Sequence, residues 1–149
     1  MILSDYKDFP RLGRILGLDW GLRRCGIAVS DINRDFVFTR EQINIKQQSE
    51  LIQKIIGLIQ DENISGVVLG LPLYADGSDS DTTKMVREFA NTLSAQTDLP
   101  FIFIEENLTS AAATEEIGHK SISKIKSKLD SVSAKIILEN AISMLKRLH

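Results

Sequence analysis

The sequence predicts a single α/β domain with a five-stranded mixed sheet, in which three antiparallel strands are followed by two parallel strands and helices flank the sheet. Three observations predict this architecture: strand-like segments joined by short turns near the N-terminus, two later runs of continuous apolar residues, and helical spacing of apolar residues between and after those runs. The chain has 149 residues, the size of one ordinary domain with a buried core.

The first three predicted strands cover Arg14–Asp19, Cys25–Ser30 and Asp35–Ile45. Short connections between such segments favour antiparallel pairing, because tight turns return the chain directly beside itself. Residues 1–13 carry no clear pattern and are interpreted as an N-terminal arm, mobile relative to the domain formed by residues 14–149.

The second half of the chain alternates helices with apolar strands. In chain order the predicted elements are a helix over Glu50–Asp61, a strand over Gly66–Gly70, a helix over Thr82–Ala95, a strand over Phe101–Ile104, a short helix over Thr109–Glu116, and a final amphipathic helix over Val132–Leu148. Strands that are apolar on both faces are typical of parallel pairing under covering helices. The order β-β-β-α-β-α-β-α-α therefore predicts a mixed sheet.

The composition excludes several classes of protein. No run approaches the ~20 apolar residues that a membrane-spanning helix requires, and the first residues lack the apolar block of a signal peptide. A single cysteine, Cys25, excludes an internal disulfide and cysteine-paired zinc sites, and we interpret it as a small buried strand residue rather than a reactive thiol. A cytoplasmic protein without a membrane partner is expected.

The charge of the chain gives two opposite indications about nucleic acid. The net charge of −2 argues against a general nucleic-acid binder, which usually carries a positive excess. Four lysines without an intervening acid nevertheless lie between residues 119 and 128, namely Lys120, Lys124, Lys126 and Lys128. They predict either one basic face on an acidic protein or an ordinary solvated surface, and charge alone does not separate the two.

Three carboxylates are candidates for chemistry. Asp19 ends an apolar strand and is followed by Gly21 and Gly26, so that a phosphate or a metal could approach closely; the alternative is a turn aspartate bonded to its own backbone. Glu105 and Glu106 follow the second parallel strand, where functional groups gather in α/β sheets, and their adjacency allows only one of them to face a common site. An exposed acidic strand end is the alternative.

Asp130 is the third candidate, because it precedes the last predicted helix. Capping of that helix is its alternative role, since an acid at a helix N-terminus interacts favourably with the helix dipole. The small residues Ser131, Ser133 and Ala134 would let the helix start lie close to the sheet. Three carboxylates brought to one place would repel one another, and divalent cations such as Mg²⁺ would relieve that repulsion.

Several motifs occur in a fixed order between residue 14 and the C-terminus. They are Gly17–Gly21, Gly26–Asp31, Gly70–Leu73, Asp76–Ser78, Arg87–Ala90, Glu105–Thr109, Lys128–Ser131 and Ile137–Glu139. In this order they resemble the YqgF or RuvX-like family, which is associated with nuclease processing of pre-16S ribosomal RNA and was once proposed to resolve Holliday junctions.

The resemblance implies a ribonuclease H-like fold and an acidic triad of Asp19, Glu106 and Asp130, catalytic and ligating one or two Mg²⁺ or Mn²⁺ ions. It selects Glu106 over Glu105, because the family's motif reads Asp-Glu-Arg and its glutamate, in second place, corresponds to Glu106. It implies a metal-dependent endonuclease in 5′-end maturation of pre-16S rRNA. The residues expected to contact nucleic acid are Arg23, Asp76, Gly77, Ser78, Asn107, Lys120, Lys124, Lys126 and Lys128.

Two positions depart from the family pattern. Asn107 stands where the family has arginine, and an amide can hydrogen-bond a phosphate without neutralising it; Lys126, Lys128 or Arg23 could compensate. Tyr74 replaces an asparagine and has either a packing or a base-stacking role. Neither change affects the triad.

Three other functions remain open from the sequence. The aspartate–glycine turn also occurs in actin-like ATPases and sugar kinases, but those proteins clamp a nucleotide between two such domains and this chain supplies one. A catalytically silent nucleic-acid-binding module is the second alternative. A resolvase acting on branched DNA is the third; it would need two active sites, and the sequence leaves monomer and homodimer open.

Overall fold

The computed structural model of the protein describes residues 1–107 and 131–148. The five strands are β1 (Arg14–Trp20), β2 (Arg24–Ser30), β3 (Val37–Asn44), β4 (Ile64–Leu73) and β5 (Phe101–Asn107). They form one sheet in the order β3-β2-β1-β4-β5, antiparallel from β3 to β1 and parallel from β1 to β5. This arrangement confirms the predicted mixed sheet, in which three antiparallel strands are followed by two parallel strands.

In the described part of the chain, three α-helices cover the sheet: α1 (Gln48–Asp61), α2 (Asp81–Ser94) and α3 (Val132–Leu148). Each buries one apolar stripe, as the helical spacing predicts. Helices α1 and α2 pack on one face of the sheet, where Trp20 of β1 stacks on Phe89 with ring centroids 6.0 Å apart. Helix α3 packs on the other face, across β1 and β2. Within the described ranges, no helix is long and apolar enough to cross a membrane.

Strands β4 and β5 are longer than the sequence indicates. Their parallel pairing continues to Leu73 and Asn107, three residues beyond the predicted end of β5 at Ile104. The expectation that Glu105 and Glu106 follow the strand was therefore wrong: both lie within it, because hydrogen bonding to β4 holds the backbone extended after the apolar run has ended. The predicted short helix over Thr109–Glu116 lies outside the described residues.

Residues 1–13 are the segment predicted as an N-terminal arm, and the first six of them lie beside β5. Phe101 donates its backbone N–H to the Met1 carbonyl and accepts from Leu3, both at 2.8 Å. The Tyr6 hydroxyl donates to the Phe103 carbonyl at 3.0 Å. Phe9 is fully buried, and its ring lies against Gly66 of β4. The segment thus adds backbone pairing and an aromatic side chain to the sheet.

The start of α2 is tied to the end of β4. The Ser80 hydroxyl accepts from the Thr83 backbone N–H at 3.1 Å, and Thr83 Oγ1 accepts from the Ser80 N–H at 2.9 Å, which is a reciprocal capping box. The Thr83 hydroxyl also donates to the Pro72 carbonyl. The loop between β4 and α2 is therefore anchored at the edge where β1, β4 and β5 end.

Candidate active site

Asp19 lies near the carboxyl end of β1 and is half-buried. In the β1–β2 ladder it is paired with Gly26, and its Cβ would lie 3.5 Å from a Cβ on that glycine. The hairpin closes immediately afterwards, where Gly21 donates to the Arg24 carbonyl at 2.9 Å. The two glycines noted in the sequence thus have separate roles: Gly21 makes the turn, and Gly26 leaves room beside the carboxylate.

Glu106 lies on β5, on the sheet face that α3 covers. Its carboxyl group lies over Gly70 of β4: a Cβ on Gly70 would be 3.1 Å from Glu106 Cδ and 3.2 Å from Oε1. Those distances are tighter than ordinary side-chain contacts. The carboxyl group therefore occupies space that exists because residue 70 has no side chain.

The register of the sheet places Asp19 and Glu106 on the same face. Leu18 is paired with Leu69 in the parallel β1–β4 ladder, so Asp19 adjoins Gly70 one residue further along. Alternation along β5 puts Glu106 on the same face as Ile104, the partner of Gly70 in the β4–β5 ladder. Two carboxylates on different strands thus flank Gly70 at the carboxyl edge of the sheet.

Glu105 lies on the opposite face. It is exposed and is paired with Leu71, whose side chain belongs to the core beneath α1 and α2. Its negative charge adds to burial in raising the pKa of the Tyr6 hydroxyl. The structure therefore separates the two adjacent glutamates: Glu106 shares a face with Asp19, and Glu105 does not.

The third carboxylate candidate, Asp130, lies outside the described residues, as do Lys120, Lys124, Lys126 and Lys128. The next residue, Ser131, is described, and its Cα would lie 3.7 Å from a Cβ on Gly26, the glycine paired with Asp19. A Cβ on Gly26 would also lie 3.5 Å from Ala134 Cβ. The expectation that small residues let this helix start approach the sheet is confirmed.

The donors in place are carboxylate oxygens. In residues 1–107 and 131–148, no group of three or more His, Cys, Asp or Glu side chains is arranged to hold a metal ion. Asp19 and Glu106 offer hard oxygen ligands, which suit Mg²⁺ or Mn²⁺ rather than a metal that prefers nitrogen or sulfur. The close approach of the Glu106 carboxyl group to Gly70 is consistent with metal ligation, because it holds a carboxylate against the sheet on the same face as Asp19.

Cys25 adjoins Asp19 but does not provide a nucleophile. It is fully buried in β2, and burial, with a further contribution from the negative charge of Asp19, raises the pKa of its thiol far above the ordinary value. A thiol of this kind stays protonated and unreactive at neutral pH. The interpretation of Cys25 as a structural strand residue is confirmed.

The loop after β4 is folded around the Asp76 carboxylate. Asp76 Oδ1 accepts from the Ser78 backbone N–H at 2.9 Å and from the Ser78 hydroxyl at 2.6 Å, and these bonds hold the pKa of Asp76 below its usual range. Gly77 has a φ of +84°, which suits glycine. Residues Asp76, Gly77 and Ser78 are all exposed, and so is Tyr74. Arg23, in the β1–β2 turn, is also exposed on this edge.

Gly70 is a site residue to which sequence reasoning gave no role. A glycine within a continuous apolar strand signals a close approach of another group, and this was the available indication. The identity of the approaching group, the Glu106 carboxyl, depends on strand register and could not be obtained from spacing along the chain.

Comparison with known proteins gives consistent matches. The RuvX family profile, described as Holliday junction resolvase, matches residues 13–144. A relative from Maridesulfovibrio salexigens named "Putative pre-16S rRNA nuclease" is 37% identical over 128 residues, which cover 85% of this chain and 95% of that protein. A Chelativorans protein of the same name is 33% identical over 150 residues, covering 99% and 94%.

Among solved structures, the fowlpox virus Holliday junction resolvase is similar with a TM-score of 0.48 and 13% identity, over 91% of this chain and 99% of that one. Thermus thermophilus RuvC is similar with a TM-score of 0.47 and 8% identity, over 62% and 63%. The family profile covers most of the chain, and the sequence relatives align over nearly their whole length. This chain belongs to the RuvX family.

Proposed function

We propose that this protein is a metal-dependent endonuclease that hydrolyses phosphodiester bonds in pre-16S ribosomal RNA during maturation of its 5′ end. The observation that carries the proposal is the placement of Asp19 and Glu106 on one face of the sheet, on either side of Gly70. Relatives that align over 85% and 99% of this chain are named "Putative pre-16S rRNA nuclease", which supports pre-16S rRNA as the substrate.

Asp19 and Glu106 would hold one or two Mg²⁺ or Mn²⁺ ions, with Asp130 as the third ligand by its position in the family motif. Such an ion, when bound, activates a water molecule and stabilises charge on the leaving oxygen. Carboxylates that share a site repel one another, so a cation between them favours their ionised forms at neutral pH.

The surrounding chain would bind and orient the substrate. Helix α3 packs beside the carboxylates, with Ile137 over Gly70 and Ala134 near Gly26. The exposed positions on the same edge, Arg23 and the Asp76–Ser78 loop, would hold backbone phosphates. The lysines from Lys120 to Lys128 would add positive charge, and the Asn107 amide would donate a hydrogen bond without neutralising a phosphate.

The substrate is tested by offering the purified protein, with Mg²⁺ or Mn²⁺, a pre-16S RNA fragment and a synthetic four-way DNA junction. We expect metal-dependent cleavage of the RNA near the mature 5′ end and little cleavage of the junction. Preferential cutting of the junction would instead assign a resolvase activity. Failure to cut either substrate, with metal binding intact, would leave a nucleic-acid-binding module.

The site is tested by Asp19→Asn, with Asp31→Asn as the matched control. Asp31 lies at the opposite edge of the sheet, and its Oδ1 accepts from the Phe36 N–H, a bond that an asparagine oxygen can keep. We expect Asp19→Asn to abolish cleavage while folding and RNA binding persist, and Asp31→Asn to cleave like the unaltered protein. Undiminished cleavage by Asp19→Asn would overturn the assignment.

A further inference from the structure

The hydroxyl of Ser131 lies inside the β-sheet. Ser131 immediately precedes α3, and its backbone carbonyl accepts from the Lys135 N–H at 3.0 Å, as at the first turn of a helix. Its side chain is 1% exposed. Ser131 Oγ accepts from the Ile27 N–H of β2 at 2.8 Å and donates to the Arg40 carbonyl of β3 at 2.6 Å. One hydroxyl thus bridges two strands from the end of a helix.

The sheet is irregular at this point. Ile27 and Arg40 are register partners, but the pairing shifts between Cys25 and Ile27, so two β3 residues face Gly26 alone. A serine before a helix commonly accepts hydrogen bonds from that helix's own first turn. Here the hydroxyl accepts from one strand and donates to another, which fixes the start of α3 to the sheet rather than stabilising the helix alone.

The anchored residue lies beside the candidate site. Ser131 Cα and Asp19 Cβ are both within 4 Å of the position that a Cβ on Gly26 would take. Asp130, proposed as the third metal ligand, directly precedes Ser131 in the sequence. Ser131 is therefore next to one proposed ligand in space and next to another along the chain.

We propose that Ser131 is a positioning residue for the metal site: its hydroxyl, inserted between β2 and β3, fixes the start of α3 beside Asp19. The inference rests on the proposed function, because it assumes that Asp19 is a ligand and that Asp130, which precedes Ser131 in the sequence, is another. Partners that orient metal ligands typically contribute 10–100-fold to metal affinity, so loss of the anchor should weaken metal binding by about that factor.

The chain offers a matched control in Ser30. Its hydroxyl is also fully buried, accepts from the Ile15 N–H at 2.9 Å and donates to the Asp31 carbonyl at 3.0 Å. It thus links a strand N–H to a carbonyl in the same way, at the opposite edge of the sheet. Ser30→Ala and Ser131→Ala each remove one buried hydroxyl with two hydrogen bonds, so their costs in folding stability should be similar.

The experiment measures Mn²⁺ binding by water-proton relaxation in the unaltered protein and both variants, without RNA, after urea unfolding has shown which variants are folded. We expect Ser131→Ala to raise the Kd for Mn²⁺ by about tenfold or more, and Ser30→Ala to leave it within about twofold. Equal Mn²⁺ affinity in the two variants would overturn the proposal, whatever their stabilities.

A second measurement uses the unaltered protein and holds even if Ser131→Ala does not fold. If metal binding and the Ser131 anchor are coupled, Mg²⁺ must slow hydrogen exchange at the Ile27 amide more than at the Ile15 amide, whose acceptor is Ser30. Equal slowing at both amides would contradict the coupling. Neither measurement involves nucleic acid, so metal binding without RNA cleavage would refute the proposed function and leave the positioning role standing.

Discussion

Gly66 and Gly70 lie on the same strand and face of the sheet, yet the groups that fill the space beside them differ. At Gly66, near the amino edge, a Cβ would lie 2.4 Å from the tip of the Phe9 ring. At Gly70, near the carboxyl edge, it would lie 2.5 Å from Ile137 Cδ1 and 3.1 Å from the Glu106 carboxyl carbon. The missing side chain admits an aromatic ring of the N-terminal segment at one edge and a carboxylate at the other.

The chemistry around the two glycines differs in the same way. At the amino edge Arg34 is buried: its Nε donates to the Gly13 carbonyl at 2.9 Å, and its guanidinium lies over the Phe9 ring, 5.6 Å from the centroid. Glu62, at the same edge, pairs with Arg40 at 2.6 Å. The amino edge thus holds a buried arginine and an ion pair that link its own elements, whereas the carboxyl edge holds the half-buried carboxylates that we propose as metal ligands.

The largest expected effect separates the two adjacent glutamates. Glu106→Gln removes a proposed metal ligand on the Asp19 face, and we expect cleavage to fall by at least about 100-fold, more than the 10–100-fold typical of residues that only orient ligands. Glu105→Gln changes an exposed residue on the opposite face and should leave cleavage within about twofold. Single-turnover cleavage of the RNA at saturating Mg²⁺ measures both.

The two glutamine variants have the same composition and alter the same strand. A difference between them therefore reports the sheet face rather than the loss of one charge. Equal losses of cleavage in the two variants would show that the charge near β5 matters and that the face of the sheet does not. A larger loss in Glu105→Gln would contradict the assignment of Glu106.

An intermediate effect is expected from Gly66→Ala and Gly70→Ala, which test the opening comparison directly. At Gly66 the added methyl group meets a buried aromatic ring, so overpacking should cost about 1–3 kcal/mol in the free energy of unfolding. At Gly70 the nearest atom is the end of the Ile137 side chain, which can move, so the cost should be about 1 kcal/mol or less.

The cleavage rates of the two variants should show the reverse order, with the larger loss in Gly70→Ala. The Gly70 methyl group displaces the Glu106 carboxyl, and a misplacement of this kind can cost up to about 100-fold in rate; Gly66→Ala should cleave normally once folded. Urea unfolding and single-turnover cleavage, measured on the same preparations, test the crossed pattern. Parallel losses of stability and rate in both variants would remove the functional distinction between the two edges.

The sequence was sufficient to predict the order and type of the strands and α-helices in the described residues, because apolar periodicity and turn residues are local signals. It located α3 at Val132–Leu148 and gave β3 within two residues at its start and one at its end. It missed the extension of β5 through Glu106 and the bridging role of Ser131. Both features depend on strand register. The extension of β5 depends on its pairing with β4, and the role of Ser131 depends on the register shift between β2 and β3. Register is not encoded at any single position of the sequence.

The smallest effect concerns Asp76, which is exposed, and Asp31, which is partly buried, two aspartates on opposite edges of the sheet. Hydrogen bonds from the Ser78 hydroxyl and N–H lower the pKa of Asp76, and the Phe36 N–H is the main cause that lowers the pKa of Asp31. The hydrogen bonds to each aspartate favour its ionised form. Their stabilisation of the local structure is therefore complete above the ordinary aspartate pKa, and it is lost as pH falls through the lowered pKa of that aspartate.

Bound RNA should separate these two groups. If the loop over Asp76–Ser78 holds phosphates, their negative charge disfavours ionisation of Asp76 and raises its pKa, whereas Asp31 lies too far away and keeps its value. NMR titration of both carboxyl groups, with and without a non-cleavable oligonucleotide, measures the two shifts in one sample. An unshifted Asp76, or equal shifts at both aspartates, would mean that the loop does not contact the backbone. Substrate contact would then fall to Arg23 at the carboxyl edge and to the lysines from Lys120 to Lys128, for which only the sequence predicts nucleic-acid binding.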